Sequence, residues 1–380
     1  MFKFSPQFLK IQEELNKKYP GAFRQSTGQS FNKKIPSGWF NVDRALRGGI
    51  PAKRLTLVYG PKDAMKTTFA LRTLADWQKR CPLCLIYQDL CQCPPPAEDE
   101  IRPTQAVFID QEIALDEGHV VRLGVDHTRL HIFRPEYGEL ACEYAEEFAK
   151  APDVGFIIFD SIAAIASKAE ASKGYLDAQA WGDRAKLVNR MYRALIKAVG
   201  IPDVPRTVIA INHQQSNPNG RGGVILPGGT DQRYLSSVVI KLQMADRQNK
   251  ITYNQEGEEM TLAYSESGYA KPKPKEDPRT QDISFLIEHS KVSPENIAGE
   301  VEVYLEDGDG FRFGDSDDTR TVFLSGQKKG FLYKENGTSG KWCNTFTTNK
   351  FQTQNALFKH WLDNQLEYKQ FQEKLIGGEK

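Results

Sequence analysis

At 380 residues, with 50 Lys and Arg against 49 Asp and Glu, the chain has room for one large domain and one or two small ones and carries almost no net field. A balanced charge excludes bulk attraction to a polyanion, so any nucleic-acid binding has to come from a local basic stripe. No apolar run approaches the ~20 residues of a membrane span, and Met1-Phe2-Lys3-Phe4 lacks the apolar core of a secretory leader, which points to a cytoplasmic protein with no membrane partner.

Phe4, Phe8, Ile11 and Leu15 recur at helical spacing, and Pro20-Gly21 ends the run. This predicts a short amphipathic helix that packs either on its own core or on a neighbouring subunit, and residues 1–34 are read as an oligomerisation segment. Strands are expected at residues 55–59, 106–110, 130–133, 156–160, 207–212 and 237–244, with helical patterns between them. Such alternation implies an α/β core over residues 35–306, a mainly parallel sheet covered by helices on both faces. Two stretches interrupt it: a cysteine-rich insertion at 81–104, and a polar one at 245–282 whose Lys271-Pro-Lys-Pro-Lys sequence predicts a flexible surface loop. Residues 307–380 start turn-rich and acidic and close with a helical pattern over 352–375, giving a small C-terminal α+β domain.

Gly60-Pro61-Lys62-Asp63-Ala64-Met65-Lys66-Thr67-Thr68 reads as a phosphate-binding loop in which Met65 stands where a second glycine is usual. In such a loop backbone N–H groups cradle phosphates, the lysine reaches the terminal ones, and a hydroxyl holds Mg²⁺. An apolar strand enters this stretch and a helical pattern, 68–77, leaves it, which is the context the motif needs. Beyond the loop, nucleotide hydrolysis needs an acid for the metal shell, a carboxylate that orients water, and a group that senses the γ-phosphate. Three strand ends supply them: Asp160 for the metal, Glu112 for the water, and Asn212 with His213 for the sensor.

Cys81-Pro-Leu-Cys84 followed by Cys91-Gln-Cys93 has the spacing of a four-thiolate Zn²⁺ site. The alternative is a set of unligated cysteines in a loop. The expectation is a structural zinc that rigidifies a surface knob used for a partner or DNA contact.

The order of these segments resembles the RecA-family recombinases, and the altered loop resembles their phage UvsX-type members. The residues that carry the resemblance are Ile35-Pro-Ser-Gly-Trp-Phe-Asn-Val-Asp43, Phe108-Ile-Asp-Gln-Glu112, Leu123-Gly-Val-Asp126, Phe159-Asp-Ser-Ile-Ala-Ala164, Lys168-Ala-Glu170, Asn212-His213, Pro227-Gly-Gly229 and Lys291-Val292. The resemblance implies a RecA-like P-loop ATPase with ATP and Mg²⁺ at the interface between protomers of a helical filament. It casts Lys66 and Thr67 as phosphate and Mg²⁺ ligands, Glu112 as the catalytic carboxylate, and His213 as the link from γ-phosphate to the DNA loops. Asp116 would contact adenine, His119 would stand where an aromatic stacks on it, and Lys291 would reach ATP across the interface.

DNA binding is expected from two loops, 167–186 and 214–233. In the first and the helix after it, Lys168, Trp181, Lys186, Arg190 and Arg193 are candidates, with Trp181 resembling the residue that wedges between bases. In the second they are Arg221, Ile225, Gly228, Gly229 and Arg233, the glycines leaving amides open to phosphate oxygens. The function implied is ATP-dependent strand exchange on single- and double-stranded DNA in a bacterial or phage-infected cell, with single-strand-binding or mediator proteins as partners. A hexameric helicase on the same fold, or a nucleotide-gated DNA-binding scaffold with little turnover, are the alternatives.

Overall fold

Leu55, Leu57 and Tyr59 face one side of their strand and Val58 the other, and all four are buried. A strand apolar on both faces belongs inside a sheet covered by helices on both sides, and the computed structural model has this arrangement. It describes residues 5–18, 33–166, 168, 179–200, 205–216, 224–245, 251–253, 259–261, 280–307, 312–316, 318–335, 340–347 and 349–377.

Eight strands form the main sheet: β1 Arg54–Gly60, β2 Gln105–Asp110, β3 Leu130–Phe133, β4 Val154–Asp160, β5 Thr207–His213, β6 Val238–Met244, β7 Thr280–Ser290 and β8 Ile297–Tyr304. Their order is β8-β7-β6-β1-β5-β4-β2-β3. The pairings from β6 through to β3 are parallel, and β7 and β8 add antiparallel at one edge. All six expected strands are present in the expected parallel core.

β7 and β8 were not expected. Their burial alternates between half-exposed and buried positions, as in Ser284, Phe285, Leu286 and Ile287, so they lack the continuous apolar run that marks a central strand. Thr280 and Asp282, read as part of the polar insertion, already belong to β7. Most of that insertion, including residues 262–279, lies outside the described residues, although Ile251–Tyr253 pairs with Glu259–Thr261.

The helices are α1 Pro6–Lys18, α2 Phe40–Ala45, α3 Lys66–Trp77, α4 Glu117–Arg122, α5 Gly138–Lys150, α6 Gln179–Gly200, α7 Asp231–Leu235, α8 Thr319–Lys328, α9 Gln354–Asp363 and α10 Gln365–Gly377. One apolar layer lies between the sheet and α3, joining Phe69, Leu71 and Leu74 to Val58, Phe156 and Ile209. The other lies beneath α5 and α6, joining Ala141, Ala145, Val188 and Tyr192 to Leu57, Ile157 and Phe159. α1 contributes no buried residue, and its Phe8, Leu9 and Ile11 are exposed.

The C-terminal region has its own core, in which Val322, Phe323, Leu357, Trp361 and Phe371 pack with Phe40 of α2. A three-stranded antiparallel sheet, Leu332–Lys334, Trp342–Asn344 and Lys350–Phe351, accompanies α8 to α10. The helical pattern read over 352–375 divides at Asn364, whose backbone (φ −124°, ψ 64°) leaves helical geometry while its N–H and Nδ2 both return to His360 O at 2.9 Å. Among the described residues no helix is long and apolar enough to cross a membrane.

Candidate nucleotide site and its flanking loops

Parallel register sets the site at the carboxyl edge of the sheet, where ligands of α/β folds bind. Gly60 of β1 lies opposite His213 of β5, and Asp110 of β2 opposite Asp160 of β4, so four strand ends share one edge. A Cβ on Gly60 would fall 1.8 Å from Leu242 O, so glycine is required where β1 passes β6.

Met65 is the N-cap of α3 at φ 55°, ψ 29°, the left-handed region. That is the backbone a glycine adopts without strain, so the loop keeps the shape of the motif although the glycine is missing. The Met65 side chain packs half-buried against the core under α3. Asp63, at φ 63°, adds a second left-handed residue to the same turn.

Behind the loop the polar groups converge. Thr67 Oγ1 donates to Asp160 Oδ2 at 2.6 Å, and Lys66 Nζ donates to Pro61 O at 2.6 Å. Glu112 accepts from His213 Nε2 at 2.8 Å and from Ser161 Oγ. Burial pushes Asp160 up to about 6, against the Thr67 hydrogen bond and with the Glu112 charge adding to the rise. Glu112 moves the other way, to about 2, chiefly because His213 hydrogen-bonds its charged form, with Ser161 assisting. Burial lowers Lys66, opposed by the Asp160 and Glu112 charges. Two neighbouring carboxylates driven apart in this way can take different tasks.

The donor set fits a Mg²⁺–ATP complex. Asp160 Oδ1 is buried and has no hydrogen-bond partner among the described residues, an unusual state for a carboxylate oxygen and one a metal-shell contact would relieve. Lys66 and the loop amides would take phosphate, and Thr67 with Asp160 the metal.

Ser161 is the residue that sequence reading missed; its signal was a hydroxyl directly after a strand-terminal aspartate. Asp110 shapes the turn that presents Glu112, accepting from the N–H groups of Ala114 and Leu115 at 3.2 and 3.3 Å and pairing with Arg134.

Other candidates have partners of their own outside this cluster. The Asn212 amide is spent on Pro227 O (2.9 Å) and Gln232 Oε1 (2.8 Å), and its Oδ1 accepts from His213 N, so it ties the second loop to β5 rather than facing the phosphate loop. Asp116 caps α4 through Gly118 N at 3.0 Å. His119 meets Phe313 edge-on, with ring centroids 4.9 Å apart. Lys291 Nζ donates to Tyr234 O at 3.0 Å.

Of the DNA-loop candidates, Arg221 and residues 169–178 lie outside the described residues, and Trp181 is placed only as a position in α6. Lys168 sits over the Tyr137 ring, 5.4 Å from its centroid. Lys186, Arg190 and Arg193 are exposed on α6, at spacings that put them on one helical face. Ile225 belongs to a short strand, Val224–Ile225, paired with Gln215–Ser216, which closes the base of the second loop. Gly228 and Gly229 have φ of 84° and 90° and lie against Ile162, Val188 and Ala185, where a side chain would collide. Arg233 is engaged by Glu288 at 3.4 Å and by the Tyr59 ring.

The four thiols of Cys81, Cys84, Cys91 and Cys93 lie within 4.8 Å of one another. The expected projecting knob is not what forms in the first half of the insertion: Cys81, Leu85 and Tyr87 are buried against the end of α3.

The RecA N-terminal domain family model matches residues 97–270. Protein RecA of Nautilia profundicola is 35% identical over 225 residues, covering 56% of this chain and 57% of that protein. Protein RecA of Picosynechococcus is 31% identical over 211 residues, 55% of this chain and 53% of that protein, and Protein RecA of Wolinella succinogenes 33% over 214 residues, 55% and 54%. The chain spans about half the length of the curated relatives it matches. Over these stretches the chain is similar to RecA proteins, and its mostly parallel eight-stranded sheet flanked by helices is consistent with a RecA-like core. The phosphate loop precedes the stretch matched by the family model, so its reading rests on its own geometry.

Proposed function

We propose that this chain is an ATP-dependent DNA strand-exchange protein that assembles as a filament on single-stranded DNA and pairs it with homologous duplex. The observation that carries the reading is the convergence of Lys66, Thr67, Asp160, Glu112 and His213 at one sheet edge, with His213 directly preceding the loop expected to touch DNA. Bound ATP with Mg²⁺ would supply the transferable phosphoryl group. Glu112, held ionised, orients the attacking water, while Lys66 and Thr67 hold phosphate and metal. His213 links Glu112 to the base of the second loop, so a strand in that loop and the state of the phosphate site act on one another.

The exposed basic face of α6 supports a backbone contact with DNA. The exposed Leu9 and Ile11 of α1 support docking on a neighbouring copy, with Lys291 reaching that copy's nucleotide. Met65 at the position of the second glycine supports the UvsX-type branch in this reading, and the setting is the cytoplasm of a bacterial or phage-infected cell, with single-strand-binding or mediator proteins as partners. Zinc on Cys81, Cys84, Cys91 and Cys93 completes the proposed cofactors.

Hydrolysis measured with and without single-stranded DNA, with electron microscopy of the same samples, tests the proposal. Strand-stimulated turnover, open filaments and loss of both stimulation and turnover in Lys66→Ala are expected. Closed rings would favour the helicase reading, and DNA binding without turnover the scaffold.

A further inference from the structure

Asp76, in the last turn of the helix that starts at the phosphate loop, is buried, and three donors close on it, two from the turn that follows and one from the C-terminal helix. Arg80 Nε reaches Oδ2 at 2.7 Å, Tyr87 OH reaches Oδ1 at 2.9 Å, and Lys369 Nζ of α10 reaches Oδ1 at 3.0 Å. Arg80 also pairs with Glu373 of α10 at 2.6 Å, lies 4.0 Å from the centroid of the Tyr87 ring, and donates to Leu85 O at 3.0 Å. Arg80 and Tyr87 bracket the first cysteine pair. They form a β-bridge with each other, and Cys81 N donates to Ile86 O at 2.8 Å.

We propose that zinc held by Cys81, Cys84, Cys91 and Cys93 sets this loop as a clasp, with Arg80 and Tyr87 closing over Asp76 and fastening α10 to the phosphate-loop helix. The proposal rests on the zinc reading of the thiols and goes beyond it in assigning the metal a job.

Four observations carry it. Tetrahedral Zn–S bonds of about 2.3 Å put sulfurs about 3.8 Å apart, close to the 3.5 Å between Cys84 and Cys91 and inside the 4.8 Å that spans all four. The turn is built around the sulfurs: Cys93 N donates to Cys91 Sγ at 3.3 Å, Leu85 N returns to Cys81 O at 2.9 Å, and Leu85 takes φ 60° to close the turn. From Gln88 to Glu100 the insertion is almost wholly exposed, so apolar burial gives it little reason to hold one conformation. Tying two cysteine pairs across residues 85–90 restricts the segment that carries Tyr87, and metal binding free energy then becomes folding free energy of the loop.

The experiment uses the full chain purified under reducing conditions. Metal content and Co²⁺ substitution report the site; amide hydrogen exchange, with and without chelator and after zinc is restored, reports the clasp. We expect one zinc per chain and a tetrathiolate cobalt spectrum. Chelation should speed exchange across residues 365–377 about tenfold or more, while β1 and β4 stay protected and zinc reverses the change. Glu373→Gln is the second arm: it leaves the thiols untouched and should speed the same amides with zinc retained. Zinc present but α10 exchange unmoved by chelation overturns the clasp and leaves the zinc reading standing. Unmoved exchange in Glu373→Gln overturns the assigned route through Arg80. Absence of zinc overturns the zinc reading and the clasp with it.

Discussion

His213 Nε2 donates to Glu112 Oε1 across 2.8 Å, joining the end of β5 to the turn after β2. Two residues after His213 the chain enters the short strand that closes the second loop, so the hydrogen bond gives a direct route from that loop to Glu112, the carboxylate proposed to orient water. Removing it should separate two functions that share the bond. His213→Ala is expected to retain ATP binding and slow unstimulated hydrolysis only a few-fold, while losing stimulation by single-stranded DNA. Glu112→Gln should bind ATP and DNA but turn over about 10²–10⁴-fold more slowly, the range of a general base. Steady-state hydrolysis with and without DNA checks both, and undiminished turnover in the Glu112 variant removes it from the role.

Asp160 and Glu112 predict opposite pH effects. Asp160, raised to about 6, binds a proton more tightly folded than unfolded, so its ionisation weakens the metal-free fold as pH rises from about 4 to 6. Glu112, lowered to about 2, contributes stability that is present above about 4.5 and lost as pH falls toward 2. Because Mg²⁺ needs the Asp160 carboxylate ionised, Mg²⁺-dependent nucleotide affinity should fall about tenfold per pH unit below about 6. Asp160→Asn should leave the metal-free protein at least as stable at pH 7 while abolishing that dependence. Calorimetric titration across pH 5 to 8 and urea unfolding of both proteins provide the measurement, and a pH-independent affinity overturns the assignment.

The parallel core was legible because β1, β2, β4 and β5 are apolar on both faces, and a run such as Phe156-Ile-Ile-Phe159 has few other homes. The strand, turn and helix around Gly60–Thr68 were legible from spacing, and they stand where a phosphate-binding motif would need them. β7 and β8 escaped notice because an edge strand shows solvent on one face and reads as mixed sequence. The split between α9 and α10 turns on one residue, Asn364, whose neighbours keep the helical apolar spacing. Ser161 and the clasp over Asp76 depend on contacts between residues 49 and 293 positions apart, which no local pattern encodes.

Asp76 gives a stability prediction. Its carboxylate lies well below the usual range because Lys369 and Arg80 outweigh the cost of burial. Removing its charge leaves Lys369 and Arg80 facing each other with Glu373 as the remaining counter-charge, and breaking a buried pair costs about 3–5 kcal/mol. Asp76→Asn should therefore unfold at lower urea by that amount. Combining it with Lys369→Met and Arg80→Met should recover a large part, since an apolar replacement of both cations leaves no buried positive charge and Tyr87 can still hydrogen-bond the amide. A triple variant no more stable than the single one would show that packing, not charge, holds the joint.

Met65 sets two effects against each other at one position. Its left-handed backbone costs an L-residue about 1–2 kcal/mol, and glycine would relieve that strain. Glycine also raises unfolded-chain entropy by about 0.5–1 kcal/mol and gives up the half-buried contact of the side chain with the core, worth about 1 kcal/mol. The opposing terms nearly cancel, so Met65→Gly should stay within about 1 kcal/mol of the parent in urea unfolding. Met65→Ala keeps the strain and loses the contact, so it should be the less stable of the two by about 1 kcal/mol. The same ranking should appear in nucleotide binding, because the loop amides keep their positions only while the turn at Met65 stays left-handed. An alanine variant more stable than the glycine one would mean that the backbone there relaxes out of the left-handed region, and that the loop is not held in the shape that phosphate binding needs.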